Sequence, residues 1–473
     1  MNPVPPEALL RDLAEAVGEA HLYLEEADRL AYGYDNSRRQ ALPAAVVLPE
    51  DAEQVAACVA ACARHRWPLT TRGRGTGTTG AVTPVHGEVV MSLERMDRIL
   101  EIAPDDRLAV VQPGVTNQAL QAALAEHGFF WPPDPTSAAF CTVGGNLAYN
   151  SAGPRAVKYG TPRENTLGLA AVDGLGRPFR CGTRTSKGVV GYDLTRLLIG
   201  SEGTLAVITE ATLRLTPLPE DKRTLQAVYA DMHAAARAVA RIMAQPVTPC
   251  ALEFMDGAAI AMIRDYRPGA LPEGAGALLM IEVDGPKAGL EAAAERVAQA
   301  ARVEGLVDLV HADTPERVRA LWETRRALSP ALRRIAPKKI NEDVAVPVSR
   351  MPELIDGLAR LGEEHAITIV NFGHAGNGNI HVNLLVNPDD EVEMARAHRC
   401  LDAVFALVLE LGGTLSGEHG VGLEKRDFVD RELHPLALAH MHAVKRALDP
   451  LGILNPGKTL PPAPDPETRS NGP

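Results

Sequence analysis

Two histidines seven residues apart, His374 and His381, lie in a glycine-punctuated stretch, Val370 to Leu384 (VNFGHAGNGNIHVNL). A second stretch, Ser416-Gly417-Glu418-His419-Gly420-Val421-Gly422, follows about forty residues later. Apolar runs at Ile367 to Phe372 and Ile380 to Leu385 flank the two histidines, with Gly373, Gly376 and Gly378 between them. This pattern predicts a tight hairpin whose strand ends bring both imidazoles toward one point. Two neutral imidazoles and one carboxylate leave open positions on a divalent ion, as catalysis requires. Glu418 is the natural third ligand, and His419 then sits beside the metal without being needed to hold it. A chain with 14 histidines pairs some by chance. The glycines argue against chance here, because each marks a sharp turn or a close backbone approach.

A different set of residues could hold an anion. Arg72-Gly73-Arg74-Gly75-Thr76-Gly77-Thr78-Thr79-Gly80 follows an apolar strand, and its glycines let backbone N–H groups converge on one ligand. No Gly-Lys-Ser/Thr follows, so it is not a Walker A loop. Its glycines lead into Ala81-Val82-Thr83-Pro84 and not a helix, so it is not a dinucleotide GxGxxG either. More such loops follow in order: Pro113-Gly114-Val115, Pro132-Pro133-Asp134-Pro135, Thr142-Val143-Gly144-Gly145-Asn146, Asn150-Ser151-Ala152-Gly153 and Gly200-Ser201-Glu202-Gly203-Thr204-Leu205. Several glycine loops feeding one domain imply an extended ligand held largely by backbone, for which a dinucleotide such as FAD is better suited than a lone phosphate.

The elements that must position these residues divide the chain. Residues 1–40 read as a helical lead-in, with helical stretches at Asp12 to Val17 and Glu25 to Tyr32. A strand at Ala44 to Leu48, a helix at Ala52 to His65 and a strand at Pro68 to Thr71 make a βαβ unit opening a ligand-binding domain over 41–219. Strands at Val89 to Leu93 and Leu108 to Val111 precede a helix at Asn117 to His127, with Thr116 as its N-cap. Asp134 to Gly160 reads as a 27-residue loop, a length that implies function. From 220 to 411, helices at Met232 to Met243 and Lys287 to Val303 alternate with strands at Leu225 to Tyr229 and Leu278 to Val283. That order predicts an α+β cap domain with helices on one face of an antiparallel sheet. Residues 412–460 should pack back on the first domain, and 461–473 (PPAPDPETRSNGP) read as a disordered tail.

Composition removes several function classes. With 48 basic and 60 acidic residues the net charge is −12, which disfavours nucleic acid. No apolar run reaches the length of a membrane span. The N-terminus (MNPVPPEALLRDL) has neither basic start nor apolar core, so no signal peptide is expected. Cys58, Cys62, Cys141, Cys181, Cys250 and Cys400 include no CxxC pair, which argues against an iron–sulfur cluster in this chain, and Cys58 and Cys62, on the apolar stripe of a predicted helix with Val55 and Val59, read as core thiols. A reduced, cytoplasmic protein is expected, and a homodimer is compatible with this composition.

The ordered motifs resemble flavoproteins of the vanillyl-alcohol oxidase and p-cresol methylhydroxylase type, over Pro43 to Pro217 and again over Val370 to Leu460. Within that superfamily the chain is similar to the FAD-dependent D-2-hydroxy acid dehydrogenases: D-lactate dehydrogenase, the flavin subunit of glycolate oxidase, and D-2-hydroxyglutarate dehydrogenase. The similarity rests on Gly191-Tyr192-Asp193-Leu194-Thr195 leading to Gly200-Ser201-Glu202-Gly203-Thr204, on Gly373-His374, on Glu418-His419-Gly420, and on Asp449-Pro450 to Asn455-Pro456-Gly457-Lys458.

The resemblance implies a two-part FAD-binding domain with an antiparallel α+β cap. It puts the pyrophosphate loop at Arg72, Gly73, Arg74, Gly75, Thr76 and Gly77. Many relatives carry a flavin-anchoring histidine where this chain has Thr76, so FAD is expected to be non-covalent. Pro132, Asp134, Thr136, Ser137, Gly144, Gly145, Asn150 and Gly153 would line isoalloxazine and pyrophosphate, and Val207 and Ile208 the adenine half. Glu418 and Asn455 complete the cofactor set. His374, His381 and Glu418 fall on the family's metal positions, with Zn or Mn expected, and His419 on the base. Arg325 fits the position of a carboxylate clamp, while Asn341 stands where the family has a lysine. The implied reaction oxidises a small D-2-hydroxy acid to the 2-oxo acid. The substrate hydroxyl would be acidified by the metal, its proton taken by His419 and its hydride passed to the flavin. Electron-transfer flavoprotein, a quinone, a cytochrome or O₂ would take the electrons. Two alternatives are an ether-lipid synthase or sugar-lactone oxidase on the same fold, which would not need the His-His-Glu-His set, and a non-catalytic flavin subunit, which could lose it.

Overall fold

The computed structural model describes residues 4–266, 271–312, 314–323 and 336–463. Val55, Cys58, Val59 and Cys62 repeat at helical spacing, and Ala52–Arg64 forms a helix that buries all four. Asp51 caps it by accepting the Gln54 N–H. Burial pushes the Cys58 thiol up to about 12, as suits an inert core cysteine.

The chain falls into two compact units. The first comprises the described parts of 1–152, 160–218 and 418–473; the second comprises the described parts of 153–159 and 219–417.

The first unit contains a four-stranded sheet in the order Leu22–Tyr23, Ala45–Val47, Val89–Ser92, Leu69–Arg72. The two strands of the expected βαβ unit do not touch in it. Val89–Ser92 lies between and parallel to both, with Met91 opposite Val47 on one side and Thr71 on the other. A strand buried along its whole length, as Val89–Ser92 is, is suited to that central place. A second, antiparallel sheet runs Ile99–Ala103, Leu108–Val111, Val207–Arg214, Thr166–Val172, Pro178–Gly182.

Asp134 to Gly160 is not the long loop that its composition suggests. Val143–Tyr149 is helical, as is Ala156–Tyr159. Thr142 caps the first by accepting the Gly145 N–H at 3.2 Å, and Asn150 ends it in the left-handed conformation. Gly144 is needed there because a Cβ would lie 2.6 Å from the Pro113 side chain. Glycines that read as loop punctuation thus serve a close helix approach.

The second unit is built on a seven-stranded antiparallel sheet. Its order is Leu306–Ala312, Asp221–Tyr229, Ala277–Gly285, Ala251–Met255, Thr368–His374, Asn379–Val386, Lys338–Ala345. Register assigns Leu225, Ala227, Leu279 and Ile281 to one face. Tyr229 on that face donates to the Ala301 carbonyl at the end of the helix Lys287–Ala301. The other face is not bare. Helix Gly257–Tyr266 packs Ala259, Ile260 and Ile263 against Val228, Met255 and Met280 there, so helices cover both sides where one was expected. Further along this second face the opposed residues turn polar: Glu253 faces His374, Asp343 faces His381, and Asn341 faces Asn383.

Candidate active site

In the first unit the glycine loop after Leu69–Arg72 is braced from the N-terminal segment. Asp35 accepts the Gly80 N–H at 2.9 Å, the Asn36 N–H donates to Gly77 O at 2.9 Å, and Asn36 Nδ2 donates to Thr76 O at 3.1 Å. Burial raises the Asp35 carboxyl above its usual range, opposed by hydrogen bonds from the Ser37 hydroxyl, the Ser37 N–H and the Gly80 N–H. No single motif marked Asp35. Its signal is an Asp-Asn-Ser turn sequence following a helix.

Two clefts open along this loop. One, about 590 Å³ with its mouth, is lined by Thr71, Arg72, Gly73, Gly144, Gly145, Gly203, Val207 and Ile208, among others. The other, about 780 Å³ with its mouth, is lined by Thr76, Gly77, Thr136, Ser137, Gly145, Tyr149, Glu418 and His419, among others. Gly145 lines both, so the two clefts adjoin.

The chemistry of these adjoining clefts suits an extended anionic ligand. The backbone N–H groups from Gly73 to Thr78 donate to no acceptor among the described residues. Thr71 Oγ1 is likewise buried without a hydrogen-bond partner. A buried hydroxyl is rarely left unpaired, and a run of unpaired backbone N–H groups along a groove wall matches a diphosphate. By contrast, the helix Val143–Tyr149 has spent its first N–H groups on Val115 O, Pro113 O and Thr142 Oγ1.

Several expected cofactor residues have side-chain partners within the protein. The Arg72 guanidinium donates to Tyr34 O at 2.6 Å, and Arg72 also lines the first cleft. Arg74 pairs with Glu94 at 3.3 Å. Gly75 closes over Arg72 at φ 64°. Asn150 Oδ1 accepts from Thr161 and Arg163. Asn455 donates to Glu202 O at 2.7 Å and accepts from Lys458, inside a buried polar network. Pro132 is buried, and the half-buried Asp134 is joined to Ala152 O through its N–H. Gly153 belongs to the second unit. Arg325 lies outside the described residues.

Glu202 shapes the loop that carries His419. Its carboxylate accepts the N–H groups of Val421 and Gly422 and the Thr459 hydroxyl. Burial lifts its carboxyl above the usual range, and those three donors hold it back.

In the second unit, His374 ends one strand of the hairpin and His381 lies near the start of the other. Their ring centroids are 5.3 Å apart and nearly perpendicular, and both residues are buried. His374 Nδ1 is hydrogen-bonded to Glu253. Asn341 donates to Asn383 at 2.6 Å beside them. Sequence reasoning missed Glu253, because strand pairing and not chain spacing brings it to His374. Two imidazoles converging in a buried polar patch are a donor set suited to a divalent ion.

The FAD binding domain family matches residues 43–182, and the family of FAD linked oxidases, C-terminal domain, matches 218–459. The chain belongs to the FAD-linked oxidase family. It is 39% identical to glycolate oxidase subunit GlcD of Bacillus subtilis, over 94% of this chain and 95% of that protein. It is 36% identical to a D-lactate dehydrogenase of Archaeoglobus fulgidus, over 91% and 95% respectively. The crystal structure of p-cresol methylhydroxylase with substrate bound matches with a TM-score of 0.77 at 19% identity, covering 97% of each chain. That likeness gives this FAD-linked oxidase the p-cresol methylhydroxylase-type α+β fold. Among the described residues, no helix of the FAD-linked oxidase is long and apolar enough to cross a membrane.

Proposed function

We propose that this chain oxidises a small D-2-hydroxy acid to the 2-oxo acid, using non-covalent FAD and a divalent metal held by His374, His381 and Glu418. Glycolate oxidase and D-lactate dehydrogenase, the activities named for its relatives, share that chemistry. The observation that carries the reading is the buried His374–His381 pair in an enzyme of an FAD family, where a flavin-only reaction would not need it. Glu418 follows Gly417 directly. Gly417 packs so tightly on Asn379 that a Cβ would lie 2.1 Å from its amide nitrogen, two residues before His381. One peptide unit, about 3.8 Å, separates Glu418 from a residue packed on the hairpin, which supports it as the third ligand.

When bound, FAD supplies the hydride acceptor and the divalent ion a Lewis acid for the substrate's hydroxyl and carboxylate. The protein's residues do the rest. Gly73 to Thr78 present backbone donors to the cofactor's diphosphate. Thr76 offers no imidazole for a covalent link, so the flavin is held by these contacts alone. His419, in the groove beside Thr76 and Gly77, takes the hydroxyl proton on a ring nitrogen. Glu202 fixes the turn that follows His419, and so its reach into the groove. An electron carrier such as electron-transfer flavoprotein, a quinone or a cytochrome then receives the two electrons.

Anaerobic mixing of the yellow protein with D- and L-2-hydroxy acids tests this. Bleaching of the flavin band by D-lactate, glycolate or D-2-hydroxyglutarate, with no bleaching by the L-enantiomers, is expected. A flavin that none of these reduces would refute the proposal.

A further inference from the structure

We infer that Glu253 is a positioning residue for the metal: it orients His374 and fixes which of its nitrogens faces the ion. This rests on the metal reading above. Glu253 lies on Ala251–Met255, directly opposite His374 across an antiparallel strand pair. Only 4% of Glu253 and 8% of His374 are exposed. Its carboxylate is hydrogen-bonded to His374 Nδ1.

A buried carboxylate on Nδ1 selects the tautomer with the proton there and leaves the Nε2 lone pair as the donor. It also holds the ring plane, since cross-strand neighbours have little freedom to move apart. A carboxylate hydrogen-bonded to a ligating histidine raises that ligand's basicity, and its loss typically costs 10–100-fold in metal affinity. His381 meets His374 edge to face at 5.3 Å, so a rotation of the His374 ring would break the convergence of the two. Glu253 therefore acts through His374 and not as a ligand itself.

The test uses full-length, FAD-loaded protein stripped with a chelator and titrated with Zn²⁺ against a chromophoric competitor. Wild type should bind one equivalent; no binding there would overturn the metal reading itself, separately from this inference. Glu253→Gln should bind Zn²⁺ about 10–100-fold more weakly, with flavin content and metal-free melting temperature unchanged. Glu253→Asp, which keeps the charge at a longer reach, should fall between the two and provides the readout if the amide variant does not fold. The visible bands of the Co²⁺-loaded Gln variant should report the wild-type coordination number. Wild-type affinity in both variants would overturn the inference, and so would a Co²⁺ spectrum that has lost a ligand, which would make Glu253 a ligand itself.

Discussion

Glu202 accepts the N–H of Gly422 at 2.8 Å, joining two residues 220 positions apart in the chain. The same carboxylate takes the Val421 N–H, and together these bonds set the turn behind His419. Gly422 sits at φ 51°, and a Cβ there would lie 2.2 Å from Thr79 O. The turn is therefore specified twice, by an acceptor and by a missing side chain.

Replacing Glu202 by Gln puts an NH₂ donor against one of those N–H groups. An unsatisfied buried donor costs about 1–3 kcal/mol, so the melting temperature should fall. Flavin reduction by substrate should slow more than flavin content falls, because the displaced turn carries His419. Stopped-flow reduction beside a flavin-to-protein ratio measures both.

Asp256 gives a pH signature. Burial raises its carboxyl to about 6, against the donors Ala259 N–H and the Asn371 backbone and side chain. Because the folded value lies above the ordinary 3.8, the contribution to stability is full below pH 3.8 and is lost as pH rises through 6. The melting-temperature gap between wild type and Asp256→Asn should thus shift in the variant's favour from pH 4 to 6 and level off above. The change should be on the order of 2–3 kcal/mol at most. A gap that stays flat over that window would contradict it.

Acid precipitation should release FAD into the supernatant, because Thr76 provides no covalent anchor. Chromatography of the supernatant identifies the flavin, and colour left in the pellet would indicate a bond to protein.

His374→Ala and His381→Ala should each retain FAD yet lose reduction by substrate, and a chelator should reproduce the loss in wild type. Flavin absorbance, metal content and anaerobic reduction on the same samples separate cofactor loss from metal loss.

His419→Asn should keep its metal and reduce flavin about 10²–10⁴-fold more slowly, the usual contribution of a positioned base. Glu418→Gln should lower metal occupancy instead, since it removes the charged ligand. Metal analysis of the two variants decides between the roles; occupancies in the opposite order would exchange them.

The sequence by itself determined what local chemistry can encode. Glycine placement after Leu69–Arg72 marked the loop that lines the clefts, and two apolar runs around His374 and His381 marked the hairpin. Helices such as Ala52–Arg64 were legible because apolar spacing and a capping Asp are written within one segment. Tertiary structure alone decided which strands pair and what each polar side chain is spent on. Val89–Ser92 separates two strands that the chain order suggested were neighbours. Arg72 and Asn455, expected at the cofactor, are consumed by a carbonyl and by a buried network. Glu253 reaches His374 across 121 residues through strand register. Side-chain partners of that kind depend on long-range pairing, which no spacing along the chain records.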